Sequence, residues 1–335
     1  MSHHDLIRNT ACRVVAKLRN GDVTPLDLLD ALEKRISEVD GKVNALPILC
    51  FDRARDHAKR LMKKPASERG LLAGLPVPIK DLTDVAGVRN TQGSPIFEDN
   101  IPDRSDILVE RLEDNGAVVY ARSNTPEFGA GANTFNEVFG ATLNPWDTSR
   151  SAAGSSGGAA AALASGTAWL AHGSDMGGSL RSPASFCGVV GLRPSIGRVA
   201  HTPKFKVDRT LGVQGPMARN VEDLALLLDA MSGEHPADPL SLPAIATSFL
   251  SPLVPAASRS ASPIPPTSAS LLSIRKSPRS RARRRNALPR PVRSSRKLTP
   301  TCARPTNAST CFGPSTSPSA RPRCCASIAA CSSPR

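Results

Sequence analysis

Two glycine-rich stretches bracket one apolar segment of the chain. Ala153-Gly154-Ser155-Ser156-Gly157-Gly158 leads into an Ala-rich run, and Gly173-Ser174-Asp175-Met176-Gly177-Gly178-Ser179-Leu180-Arg181 follows it. Either stretch alone reads as a flexible connector. A connector has no need to flank a single apolar helix on both sides, nor to carry Asp175 and Arg181. Glycine-rich turns ahead of helices also expose backbone N–H groups to phosphate. The pattern G-x-x-x-x-G-K-[ST] is absent, and no lysine falls between Arg150 and Arg181, which argues against nucleotide binding. Residues 154–158 match G-x-S-x-G, an elbow that presents a serine nucleophile, here Ser156, after a buried strand. The preceding segment, Asn144–Ser151, is polar and turn-rich, so that strand is not expected. A Ser156 triad would have to draw on His201 or His235.

Serine with lysine is the better chemical reading. A hydroxyl is a weak nucleophile until a neighbouring base takes its proton. Lysine serves as that base once burial has neutralised its ammonium. Lys80 ends the apolar run Leu75-Pro-Val-Pro-Ile79, so its side chain would leave a strand set in the core. A surface lysine at a strand end is the competing reading.

These residues also carry a resemblance. Gly74-Leu-Pro-Val-Pro-Ile-Lys80-Asp81 resembles the lysine motif of the amidase signature family of serine hydrolases. Gly154-Ser-Ser-Gly-Gly158, Gly173-Ser-Asp-Met-Gly-Gly-Ser-Leu-Arg-Ser-Pro-Ala184 and Cys187-Gly-Val-Val-Gly-Leu-Arg-Pro194 resemble the signature itself. Thr125-Pro-Glu-Phe128 and Gly215-Pro-Met-Ala-Arg219 sit where family members carry similar stretches. The likeness is ordered, specific and covers about residues 5–250.

The resemblance implies a triad of Ser179 as nucleophile, Ser155 as a bridging serine preceded by a cis peptide bond, and Lys80 as base. A proton would pass from Ser179 to Ser155 to Lys80 as the alkoxide attacks an amide carbonyl, and return to the departing ammonia or amine. Backbone amides of Met176, Gly177 and Gly178, with that of Ser179, would form the oxyanion hole. Asp175 and Arg181 would orient the loop without carrying protons. No cofactor and no metal is implied. The expected partner is a small-molecule amide substrate; oligomeric state is not legible. The alternatives are an amidotransferase-type glutaminase subunit of the same family, or an inactive fragment with a polyanion-binding basic tail.

The elements that must hold these groups follow from local patterns. Residues 5–64 look helical; Thr24-Pro25 starts a helix whose Leu28, Leu29, Leu32 and Ile36 share a face. Leu75–Ile79 reads as a strand, Ser105 as the cap of a helix through Leu112, and Val118–Ala121 as the next strand. Ser123–Gly140 carries few regular signals. Ala159–Leu170 reads as a buried helix, and Asn220 caps another from Val221 to Ser232. Helices alternating with short strands indicate an α/β layer architecture, and the resemblance implies a mixed central sheet covered by helices.

Charge divides the chain in two. The formal net charge is +14, but residues 251–335 hold 16 basic and no acidic residues, leaving 27 basic against 29 acidic in 1–250. That last segment has 18 Ser, 14 Pro, one Gly and one aromatic, Phe312, a composition that cannot bury enough apolar surface to offset chain entropy. Disorder is expected there, in place of the 150 or more residues with which family members continue. The composition is that of an out-of-frame reading of a GC-rich gene, so a frameshifted, truncated amidase is expected. Arg275–Lys297, with 11 Lys/Arg, could bind polyanions electrostatically, but no aromatic interleaves, and nucleic acid is not the expected partner. The start is polar, without a signal-like apolar region, and no run approaches 18 apolar residues. A cytoplasmic protein with no membrane contact is expected. No C-x-x-C occurs among the eight cysteines, and no zinc spacing.

Overall fold

The computed structural model describes residues 3–202 and 211–251. All of them lie within one compact unit, Met1–Ala261. The segment 252–335, with the expectations attached to it, falls outside the described residues.

Four helices open the chain: α1 (His3–Arg8), α2 (Ala11–Asn20), α3 (Pro25–Val43) and α4 (Phe51–Met62). The Thr24 hydroxyl accepts the Asp27 amide at 3.2 Å, and the Asp27 carboxylate accepts the Thr24 amide at 2.8 Å. Two orphan N–H groups are thereby satisfied, and Pro25 takes the first turn, where a missing donor costs nothing. Leu28, Leu29, Leu32 and Ile36 are all buried, each contributing about 1.5–3 kcal/mol.

Strand β1 (Ile48–Leu49) lies between α3 and α4, and β2 (Pro76–Lys80) follows. Helix α5 (Ile107–Asp114) crosses over to β3 (Val118–Ser123), which runs parallel to β2 and antiparallel to β1. Every residue of β2 and β3 is buried, and the register places Lys80 opposite Ser123. Asp106 caps α5, not Ser105: its carboxylate accepts the Leu108 amide at 2.9 Å, while the Ser105 hydroxyl accepts the Ala86 amide. A carboxylate at a helix start also gains from the helix dipole.

Residues 135–151 form two small hairpins, β4 (Phe135–Asn136) with β5 (Gly140–Ala141), and β6 (Leu143–Asn144) with β7 (Asp147–Ser151). Then come α6 (Gly157–Ser165), β8 (Leu170–Asp175), α7 (Arg181–Cys187), β9 (Val190–Gly191), β10 (Val213–Ala218) and α8 (Val221–Met231). Strand β10 pairs antiparallel with both β8 and β9. The Ala-rich helix is shorter than its composition suggests, because Gly166, at φ 77°, takes the left-handed cap and turns the chain toward β8. Asn220 caps α8 by accepting the Asp223 amide, as expected.

Strands β2 and β8 bring the two three-stranded sheets together: the Lys80 amide donates to His172 Nδ1 at 3.3 Å. Helices packed on small parallel and antiparallel sheets make the mixed α/β architecture that the sequence implies. Among the described residues no helix is long and apolar enough to cross a membrane.

Candidate active site

Lys80 closes β2 and is fully buried. Its Nζ donates to Ser155 Oγ at 2.7 Å, to Ser156 Oγ at 3.0 Å and to Ser174 Oγ at 3.0 Å. An ammonium has three N–H donors, and three hydroxyls take them. Burial pushes the amine down to about 7, against a weaker opposing pull from Asp175. Neutral hydroxyls offer no counter-charge, so desolvation dominates.

The turn before α6 delivers Ser155 and Ser156. The Gly154–Ser155 peptide bond is cis, where the resemblance implies one. A Cβ at Gly158 would lie 2.3 Å from the Asn124 nitrogen, so only glycine lets the first turn of α6 approach the end of β3. On the other side, Ser156 Oγ donates to the Ser174 carbonyl and accepts the Ser174 amide, both at 3.2 Å. The end of β8 is thus tied to the Lys80 cluster through two backbone groups of Ser174.

Asp175 ends β8 and organises the loop 176–181. Arg181 grips it bidentately, Nε to Oδ2 and Nη2 to Oδ1, both at 3.0 Å, and Arg193 Nη1 reaches Oδ1 at 3.1 Å. The amides of Gly178 and Leu180 donate to the same carboxylate at 2.8 and 3.1 Å. Burial would raise this carboxyl, but the bonds from Arg181 and the two amides outweigh it and hold it well below the usual carboxylate range. Asp175 is therefore paired with both Arg181 and Arg193.

Of the expected oxyanion donors, Gly178 is engaged elsewhere in this structure. Its N–H is committed to Asp175, a charged acceptor that a neutral carbonyl would have to displace. The amides of Met176, Gly177 and Ser179 have no hydrogen-bond partner among the described residues. Gly178 sits at φ 126°, a conformation that side chains resist, whereas a Cβ on Gly177 would meet open space.

Ser179 is half-buried, and its carbonyl accepts the Ser156 amide at 3.2 Å. Its hydroxyl has no hydrogen-bond partner among the described residues. The structure therefore joins Lys80 to Ser155 directly and ties residue 179 to the same turn through backbone, without a bond between the Ser155 and Ser179 hydroxyls. The Ser156 elbow fails: β7, which precedes it, is largely exposed. The Ser156 hydroxyl is held by Lys80 and Ser174, not by histidine. His201 Nδ1 lies 3.9 Å from Asp238 instead, and His235 Nδ1 accepts the Ala237 amide.

Several groups around the lysine escape sequence reasoning. Ser156 and Ser174 complete its hydrogen bonds; an ammonium's need for three acceptors, with serines abundant nearby, was the available signal. His172 is fully buried, accepts the Lys80 amide through Nδ1 and contacts Gln214 Oε1 through Nε2 at 2.8 Å. Burial lowers its pKa to about 3, so the ring is neutral and Nε2 carries the proton toward Gln214. Arg122, also fully buried, pairs with Asp81 at 3.3 Å and donates to the carbonyls of Lys80, at 3.2 Å, and Thr83. It thus clamps the residues on either side of the Lys80–Asp81 bond.

The family described as Amidase matches residues 27–261. The chain is 42% identical over 224 residues to a glutamyl-tRNA(Gln) amidotransferase subunit from Prochlorococcus marinus (strain MIT 9211), covering 66% of this chain and 46% of that protein. The chain spans about half the length of the curated relatives it matches. Among solved structures, 6-aminohexanoate cyclic dimer hydrolase complexed with substrate aligns with a TM-score of 0.67 at 34% identity, over 73% of this chain and 51% of that one. A bacterial aryl acylamidase of the amidase signature enzymes aligns with a TM-score of 0.68 at 30% identity, with the same coverage. A buried lysine on paired serines, a glycine loop pinned by Asp175 and a match across most of the chain converge: this chain belongs to the amidase signature family.

Proposed function

We propose that the chain hydrolyses a carboxamide to a carboxylate and ammonia or an amine through a serine acyl-enzyme. The observation that carries this reading is the buried Lys80 amine, pushed down to about 7, with Ser155 Oγ 2.7 Å away. A base of that kind is free to accept a proton near neutral pH, the condition for general-base catalysis.

Ser179 Oγ attacks the amide carbonyl as its proton passes to Ser155 and the Ser155 proton passes to neutral Lys80. The bond between the Ser155 and Ser179 hydroxyls closes when substrate fills the site, since catalytic hydrogen bonds are often long without it. The oxyanion lies against the amides of Met176, Gly177 and Ser179. Each such donor contributes roughly 2.7–4 kcal/mol to lowering the barrier. The tetrahedral intermediate expels the amine, which takes a proton back through the same relay, and water then attacks the acyl-Ser179 ester. Asp175, Arg181 and Arg193 hold the loop in place. They transfer no proton, because the carboxyl stays ionised.

The second reading, a component of an amidotransferase that works with partner chains, is favoured by the names of the relatives at 40–45% identity. Two measurements separate the readings: ammonia release from simple carboxamides by the chain alone, against release from glutamine only with added partner chains. The shared mechanism is tested by Ser179→Ala, which should give no product and no labelling by a fluorophosphonate. Labelling equal to that of the native chain would remove Ser179 as nucleophile.

A further inference from the structure

The other end of α6 lines a cavity that the amide chemistry does not use. It has a volume of about 440 Å³ and is bounded by α1, by α3, by the end of α6 and by Arg219. Helix α6 starts at Gly157 and first meets the cavity at Leu163, so about 9 Å of helix separates this cavity from the serine turn. Small-ligand sites occupy about 300–1,000 Å³ and combine apolar walls with a few placed polar groups. Ile7, Ala31 and Leu163 supply the apolar wall here.

The charged lining is one-sided. Arg8, Lys34, Arg35 and Arg219 face the cavity together with His3 and His4, and Glu38 is the single carboxylate among the lining residues. Residues 1–250 as a whole hold slightly more acidic than basic groups, so four cations against one acid is a local concentration.

Two of these cations build the wall. Arg35 donates twice to the Ser165 carbonyl, at 3.0 and 2.8 Å, and pairs with Glu38 at 3.4 Å. Arg219 donates to the carbonyls of Ile7, at 2.8 Å, and Asn9, at 2.6 Å, fastening α1 over the cavity. The other two are uncommitted. Neither the Arg8 guanidinium nor the Lys34 ammonium has an ion-pair or hydrogen-bond partner among the described residues. Held cations behind and free cations in front, beside an apolar wall, suit a compact ligand with at least two negative charges and an aliphatic body. No phenylalanine, tyrosine or tryptophan lines the cavity to stack a base.

We propose that this cavity binds a small phosphate-bearing metabolite, its phosphate held by Arg8 and Lys34. The site is independent of the amidase reading, because no residue of the serine–lysine cluster lines it. Trp169 offers a local reporter, since its buried indole donates to the Leu6 carbonyl of α1 at 3.2 Å. Trp146 is 74% exposed and is the other of the chain's two tryptophans; Trp146→Phe leaves Trp169 alone.

The experiment titrates sodium pyrophosphate into the full chain carrying Trp146→Phe, at fixed ionic strength, following Trp169 fluorescence and heat of binding. Saturable binding is expected, weakened about tenfold or more by Arg8→Glu with Lys34→Glu. Lys42→Glu with Arg104→Glu makes the same change of net charge elsewhere and should leave binding unaltered. If the Glu pair unfolds the chain by circular dichroism, Arg8→Gln with Lys34→Gln replaces it, with the same expectation. Absence of binding overturns the proposal. So does binding that survives loss of Arg8 and Lys34, which assigns the anion to Arg275–Lys297 instead. A single-stranded oligonucleotide forms the second arm; a Trp169 response to it but not to pyrophosphate also overturns a small-molecule site.

Discussion

Replacing Lys80 by methionine keeps an unbranched side chain one atom shorter and removes its charge, and so tests whether this amine is held neutral by burial. A folded pKa of about 7 against an ordinary 10.5 means that the unfolded chain binds the extra proton between those values. Stability from this group therefore rises with pH through that window. Below pH 7 both states are protonated and the full penalty of burying the charge is present, about 5 kcal/mol from the size of the shift. Between pH 6 and pH 9 the native chain should gain about 2–3 kcal/mol from Lys80 alone. His172 also titrates across part of this range in the unfolded state, so the quantity to measure is the difference between native and Lys80→Met chains. Urea unfolding at several pH values gives it. The variant should be relatively most favoured at acid pH, with the gap closing or reversing as pH rises. Turnover of a chromogenic amide by the native chain should show a rising limb with a midpoint near pH 7, and the variant should lose at least about a thousandfold, as loss of a triad base does. A pH-independent stability difference would refute a neutral buried Lys80, whatever the activity did.

Asp175→Asn should lower turnover by about a hundredfold with a smaller change in KM, because Arg181 and Arg193 lose their shared carboxylate and the loop amides drift; steady-state kinetics checks the split. Arg122→Met should destabilise the fold by about 3–5 kcal/mol, since it leaves Asp81 buried without its partner, and denaturant unfolding reads this directly. Gly178→Ala should cost roughly 1–3 kcal/mol through strain at a φ of 126° and reduce fluorophosphonate labelling of Ser179. His172→Leu should lower thermal stability, because the Lys80 amide and Gln214 each lose a buried partner, at about 1–3 kcal/mol apiece.

Where local chemistry decides an element, the sequence was readable. Thr24-Pro25 with Asp27 sets the start of α3 in three neighbouring residues, and Asn220 with Asp223 does the same for α8. Element ends were less legible when two signals competed. Ala159–Leu170 looks uniformly helical by composition, yet one glycine at 166 stops the helix and frees Leu170 for β8. Asp106 displaced Ser105 as a cap because the serine hydroxyl found a non-local partner in the Ala86 amide, 19 residues away in the chain. Strand β10 carries Gly215-Pro216 and shows no clear alternation; its place between β8 and β9 comes from pairing with distant segments.

The same distinction explains the site. Lys80, Ser155, Ser179, Asp175 and Arg181 all lie in recognisable motifs, which is why the sequence singles them out. What makes Lys80 useful could not be, because it is a property of charges brought from elsewhere. Two buried or nearly buried carboxylates, Asp81 and Asp175, lie in the segments that meet here, and either could have kept the amine protonated. Asp81 is turned to Arg122 and Thr91. Asp175 is saturated by Arg181, Arg193 and two backbone amides. Each acid is spoken for by an arginine, whose pKa lies too high to be neutralised, and the lysine is left with neutral hydroxyls. In the proposed reaction Arg122 and Arg193 would act without approaching a substrate: removing either arginine would free a carboxylate to stabilise the lysine's charge. The consequence is measurable, since Arg193→Met should move the acid limb of the rate profile upward from about 7 even where the fold survives. An unmoved limb would mean that Asp175 has no electrostatic hold on Lys80.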